Sequence, residues 1–243
     1  MKRQLHIIAL RTVRHNERSS ILTAYSLEAG RVAFAIPAGT GREASRRRAL
    51  LMPLGLVECV ADIRPGREIH QMSDPRAEEP LIGLRTHPAK SAIAMFVAEV
   101  LSIVFRDGPP DEGLYHYIYR CVKLLDILPG SRVANFHLCF LYGLGGYLGI
   151  EPDVEDYREG MVFDMVDGRF RMSAPQHRHF LDSRRARSVA ALSRMTMANM
   201  HLFRMSREER NEMLDGILDY YTLHYAGLNS MRSLEILREV GDA

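Results

Sequence analysis

The feature that most constrains this 243-residue chain is a change of hydrophobic period across a run of prolines. Before that run, apolar residues alternate: Val32, Phe34 and Ile36 fall on one side and Arg31, Ala33 and Ala35 on the other. This is the two-residue period of a half-buried strand. Beyond it, Ile93, Phe96, Val97, Val100, Leu101 and Val104 form one stripe at helical spacing. Pro75, Pro80 and Pro88, with Glu78 and Glu79 among them, mark the junction. The expected fold class is α+β, with a small β domain over residues 1–80 followed by a mainly helical domain over 81–243.

Five strands are expected in the first part, over 5–13, 19–27, 30–36, 54–63 and 68–72. Tight connections at Glu28-Ala29-Gly30 and Arg64-Pro65-Gly66-Arg67 join two of the pairs. Five short strands in under 80 residues point to an OB-fold barrel. An SH3-like barrel and a five-stranded sandwich stay open on periodicity alone. Helices are expected over 90–105, broken by Gly108-Pro109-Pro110, and then from an Asp111 cap to about Leu128. Others are expected over 132–145, 186–200 and 230–240, and one from a Ser206/Glu209 capping box to about Tyr225. Between 151 and 182 the pattern fails. A small irregular insert is expected there, with a hairpin turning at Asp167-Gly168.

Charge is unevenly spread. The formal net charge is +2, yet residues 1–50 hold ten Lys/Arg against three Glu, a net +7 that leaves −5 for the remainder. Such asymmetry points to an electrostatic partner surface. After Pro37, Gly39 and Gly41, a loop is expected to carry Arg42, Arg46, Arg47 and Arg48. A basic loop slung between barrel strands suits a polyanion. The same arginines also read as a solvated surface, and the residues alone do not choose between the two.

Other chemistry finds little support. Cys59, Cys121 and Cys139 are odd in number and far apart, which suits unpaired thiols in a reducing, cytosolic compartment. The N-terminus is not read as a signal peptide, and the apolar run 92–105 contains Glu99 and is too short to span a bilayer. Gly143, Gly145, Gly146 and Gly149 have the wrong offsets for a dinucleotide loop and read as a helix C-terminus. His177, His179 and Asp182 are weighed as metal ligands, but no cysteine has ligand spacing, so a surface loop is the simpler reading. No hydrolase, metalloprotease or phosphate-loop motif occurs. Met195, Met197, Met200 and Met205 read as packing between helices.

Several stretches, taken in order, resemble the RecO family of bacterial recombination mediators. They are Leu10-Arg11-Thr12, Glu17-x-Ser19-x-Ile21-Leu22-Thr23, Glu28-x-Gly30-Arg31-Val32 and a basic segment ending in Ala49-Leu50-Leu51-x-Pro53. Phe136-His137-Leu138 with Leu144-Gly145-Gly146-Tyr147, and Leu218-Asp219-Tyr220-Tyr221-x-Leu223-His224, fit the family's helical half. The resemblance implies a protein without catalytic turnover that binds single- and double-stranded DNA and anneals complementary strands. It also implies action with RecR, helping RecA replace single-stranded-DNA-binding protein (SSB). DNA contacts are carried over to Arg11, Arg14, Arg42, Arg46, Arg47 and Arg48, and Arg31 is expected to act with them. The acidic, Phe-ended tail of SSB is expected on the helices of 111–145. Leu114, Ile118 and Leu125 would offer apolar surface there, and Arg120, Lys123 and Arg132 charge. Many members bind zinc through two Cys-x-x-Cys pairs. Residues 151–182 contain no cysteine, so no metal or other cofactor is expected. The competing readings are an OB-type RNA-binding or ribosome-associated protein, and an enzyme, for which the helical half offers no convergent polar set.

Overall fold

The computed structural model describes residues 2–64, 66–105 and 109–240, in two compact units that part between Ile127 and Leu128. Pro65 of the expected turn and Gly108 of the expected helix break lie outside the described residues.

The first unit begins as a closed barrel. Its strands are β1 (Arg3–Arg14), β2 (Ser19–Ser26), β3 (Gly30–Pro37), β4 (Leu56–Ala61) and β5 (His70–Ala77), with α1 (Arg42–Leu50) between β3 and β4. Around the barrel they run β1-β2-β3-β5-β4. β1 pairs antiparallel with both β2 and β4, closing the circle, while β3 meets β5 in a short parallel pairing, Phe34↔His70 and Ala35↔Gln71. This is the five-stranded OB architecture expected. Alternation decides what lies inside: Leu5, Ile7 and Ala9 of β1 meet Leu22, Ala24, Val32, Phe34 and Val57 in the core.

The strands β4 and β5 depart most from expectation, for local reasons. β4 begins at Leu56, because Leu54 takes a left-handed φ of 61°. A Cβ on Gly55 would also lie 2.5 Å from the Leu50 carbonyl oxygen. β5 runs on through Pro75, because the register against β4 shifts between Glu58 and Val60 and the proline sits in that bulge, where no ladder hydrogen bond is needed.

Outward-facing Ile8 and Tyr25 are also buried. The Tyr25 ring lies 4.5 Å from that of Phe105, and its hydroxyl accepts from the Asp111 amide at 3.1 Å. These contacts tie the barrel to the end of α3 (Pro88–Val104) and the start of α4 (Glu112–Ile127), which α2 (Ile82–Thr86) precedes. Asp126 fastens α2 and α3 to α4: its carboxylate accepts from the Leu84 amide at 2.9 Å, and its carbonyl from buried Lys90 at 2.6 Å.

The second unit is built on α5 (Phe136–Tyr147), which is buried through Phe136–Leu141. Gly143, Gly145 and Gly146 lie in its last turns, and Gly149 follows its end at φ 71°. A three-residue 3-10 turn at Gly130–Arg132 stands where the sequence predicted the start of that helix. The insert holds a small sheet in the order β7-β6-β8: β6 (Val162–Asp164), β7 (Arg169–Arg171) and β8 (Phe180–Leu181). The expected hairpin is β6–β7, with Gly168 at φ 67°; β8 was not foreseen.

Asp182 caps α6 (Ser183–Leu192), accepting from the Arg185 amide at 2.9 Å. That helix stops well before Met200. Thr196 and Asn199 exchange side-chain-to-backbone hydrogen bonds (2.7 and 3.3 Å), which compete with helical ones. The Ser206/Glu209 capping box opens α7 (Arg207–His224), and α8 (Ser233–Val240) follows. Tyr221 of α7 donates to the Leu141 carbonyl at 2.6 Å, joining α7 to α5.

Candidate nucleic-acid interface

The register of β1–β3 fixes the outer face of the barrel. Arg11 stands opposite Thr23 and Thr23 opposite Ala33. One step further, Val13, Ile21 and Ala35 align, and Arg31 stands beside Tyr25. Thr23, Ala33 and Ala35 lie along this face with Val13 and Ile21, and Arg11 and Arg31 on it are both exposed. The β1–β2 hairpin carries Arg14 and Arg18 at its exposed end. There the Asn16 side chain accepts from the Arg18 amide (2.9 Å) and the Ser19 hydroxyl (3.0 Å), setting the turn. Arg18 was not among the expected contacts. Its position at the tip follows from Asn16, a turn residue at a strand end.

The expected basic loop is a helix. Arg42, Arg46, Arg47 and Arg48 all lie in α1, where Glu43 and Arg47 form an i,i+4 pair at 3.0 Å. After Gly41 the run Arg-Glu-Ala-Ser-Arg-Arg-Arg-Ala-Leu contains mostly good helix formers, and Ala44 is its buried anchor.

The helix divides its arginines. Arg47 donates to the Pro37 carbonyl and Arg48 to the Gly39 carbonyl, each at 3.2 Å, pinning α1 to the end of β3. Arg42 and Arg46 lie one turn apart, exposed, with no ion pair among the described residues. The face lacks a stacking platform, since Tyr25 packs on Phe105 and Phe34 is inside the barrel. What the arrangement offers is exposed cations on the strands and on α1, which is chemistry for a phosphate backbone.

The residues expected to meet a protein tail fare differently. Leu114, Ile118 and Leu125 of α4 are 5%, 0% and 0% exposed, so they are core and offer no apolar surface. The stripe that suggested a docking face is the stripe that packs on the rest of the first unit. Lys123 is engaged with Glu79 at 2.5 Å, and Arg120 is exposed on the same helix. Arg132 is exposed in the 3-10 turn of the second unit.

That unit also contains an apolar cavity of about 320 Å³, floored by Leu141, Phe163, Leu181, Met195 and Tyr220. Arg184, Arg185 and Arg187 at its rim are paired with Glu212, Asp219 and Glu159, while Arg204 is exposed.

The residues of the insert do not fit a zinc ion. Cys139 is buried, its thiol pushed up to about 12 by desolvation, and it faces the Met195 carbonyl at 3.7 Å. His137 is buried and pushed down to about 3 by desolvation, with Arg210 adding to the effect. His177 lies 3.3 Å from Asp164. Among the described residues no group of three or more His, Cys, Asp or Glu is placed to hold a metal.

Asp164 organises the segment instead. Its buried carboxylate accepts from Arg171 Nε (2.7 Å) and from the amides of Val166 (3.0 Å) and Asp167 (3.3 Å). Burial alone would raise its pKa, but these hydrogen bonds outweigh burial and hold it below the ordinary value.

Residues 1–79 match the family model of the recombination protein O N terminus, and residues 85–235 that of its C terminus. The chain is 36% identical over 233 residues to the DNA repair protein RecO of Phocaeicola vulgatus, covering 96% of each chain. It is 34% identical over 236 residues to that of Bacteroides fragilis and 31% over 240 to that of Porphyromonas gingivalis, covering 97% of each chain in both cases.

Proposed function

The chain belongs to the RecO family of DNA repair proteins, and on that premise we propose that it is a non-enzymatic mediator of recombinational repair. It binds single- and double-stranded DNA, anneals complementary strands and, with RecR, helps RecA onto SSB-coated DNA in the cytoplasm. The observation that carries the DNA contact is the set of exposed guanidinium groups around the barrel face: Arg11, Arg14 and Arg31 on the strands, Arg42 and Arg46 on α1. Arg47 and Arg48 contribute charge to the same helix while holding it in place.

SSB enters as the partner of the second unit. An acidic tail with an aromatic end needs an apolar pocket and nearby cations. The cavity below Arg204 offers both, and Arg132 belongs to the same unit. On the first unit, Arg120 remains exposed, whereas Lys123 is already paired.

Binding is expected to be electrostatic, with log affinity falling by about 0.7 per log unit of salt for each single-strand phosphate contact. A titration of single-stranded DNA against structured RNA, followed by strand annealing with and without SSB, tests the reading. Preference for structured RNA, or no annealing of SSB-coated strands, would overturn it.

A further inference from the structure

α1 has a second edge. On the side facing β5 and α2 lies a cleft of about 520 Å³ lined by Arg46, Arg76 and Arg85. They come from three separate elements, α1, β5 and α2, so no single basic run in the sequence accounts for their meeting. All three are exposed, and none has an ion pair among the described residues. Glu58 stands opposite Arg76 in the β4–β5 register without pairing to it. The carboxylate in the lining, Glu79, is taken by Lys123 at 2.5 Å. Guanidinium groups around one cleft, with its lining carboxylate already paired to Lys123, repel one another, and an anion placed among them lowers that cost.

The backbone around Arg76 is unusually constrained. Asp74 and Leu81 both take left-handed conformations, φ 49° and 43°, on either side of the segment that carries Arg76 and Glu79. For a bulky residue such as Leu81 this is an outlier, and such strain gathers where a backbone must be held for binding. Leu50, Met52 and Pro75 supply apolar walls. A phosphodiester flanked by sugars matches forked cations over apolar walls better than a bare ion does.

Resting on the DNA-binding reading above, we propose that this cleft is a second nucleic-acid track. It grips the backbone of a second strand while the β1–β3 face holds the first. Arg46 stands between the two tracks, since it shares an outer edge of α1 with Arg42 and also lines the cleft. A protein that anneals complementary strands would then carry one on each side of α1.

Counting oligonucleotides bound per chain tests this. The probe is a fluorescent single strand of about eight nucleotides, within the ~4–16 that one OB fold covers. The wild type is expected to bind two. R76A/R85A is expected to bind one with unchanged affinity, with the second at least tenfold weaker and its salt slope lower by about 1.4, or 0.7 for each lost contact. R11A/R14A is expected to lose the other strand and keep this one. Matching thermal midpoints confirm that both variants fold. Two strands on R76A/R85A at wild-type affinity would overturn the proposal. A wild type that binds one strand leaves the DNA reading standing and overturns the second track alone. A wild type that binds none removes both.

Discussion

Arg46 and Arg47 are adjacent in sequence and do different work. Arg47 is half-buried, spans from Glu43 to the Pro37 carbonyl, and so fixes where α1 sits. Arg46 points away, into the cleft. A charged hydrogen bond is worth about 1.5–3 kcal/mol where it is buried, and less where water reaches it. Arg47→Ala should therefore lower stability by about 1 kcal/mol. Its effect on DNA should come through a loosened helix. R42A/R46A should leave the melting temperature within a degree or two and weaken single-stranded DNA binding, flattening the salt slope by about 1.4. Thermal melts and salt-dependent titrations on the two variants check this. Equal effects on stability and binding in both would mean that the helix does not divide its arginines.

At the scale of elements, Asp164 gives the insert its own small core. It is the acceptor around which β6, β7 and the turn between them close, and Phe163 beside it packs against Phe170 and Tyr220. Asp164→Asn keeps the shape but loses the charge that Arg171 and two amides point at. It should cost about 1.5–3 kcal/mol and raise hydrogen exchange in residues 162–181 ahead of the rest of the second unit. Uniform exchange across that unit would count against a local hub.

These same elements mark what the sequence could reveal. The barrel was legible because alternation over β1–β3 is long and clean. α1 was not, because Gly39 and Gly41 just before it read as loop and arginines hide its one buried anchor, Ala44. β8 has two residues, too few for any period, and the segment beyond α6 is turned by a side-chain exchange at Thr196 and Asn199 that hydrophobic spacing cannot register. Of the candidate interface, Arg11, Arg14, Arg31, Arg42, Arg46, Arg47 and Arg48 can be named from the sequence as basic positions, whereas the place of Arg18 at the hairpin end shows only in the fold. The cleft could not be read there, because Arg46, Arg76 and Arg85 meet only once the barrel closes.

At the scale of the whole molecule, one histidine in each unit couples folding to acid, and the two couple in opposite directions. In the first unit, the Glu28 carboxylate accepts from His6 Nδ1 at 2.7 Å, from its backbone amide and from Ser26. That hydrogen bond to Glu28 raises the His6 pKa above its ordinary 6.5, against a smaller lowering by burial. A raised histidine pKa means that the folded state holds the proton more tightly. The resulting stability is complete below pH 6.5 and is lost as pH climbs through the folded value. His6 is partly exposed, so the gain is modest. In the second unit, burial and then Arg210 press His137 down to about 3. The unfolded chain takes up that proton first, so stability falls as pH drops from 6.5 towards 3.

Unfolding followed by hydrogen exchange, unit by unit, should therefore show the first unit strengthening from pH 8 to 6.5. The second should weaken from 6.5 downward. His6→Gln should flatten the upper limb in residues 2–127, and His137→Gln the lower limb in 128–240. If the His137→Gln protein lost stability on acidification as steeply as the wild type, the acid sensitivity of the second unit would have to arise elsewhere than in this histidine.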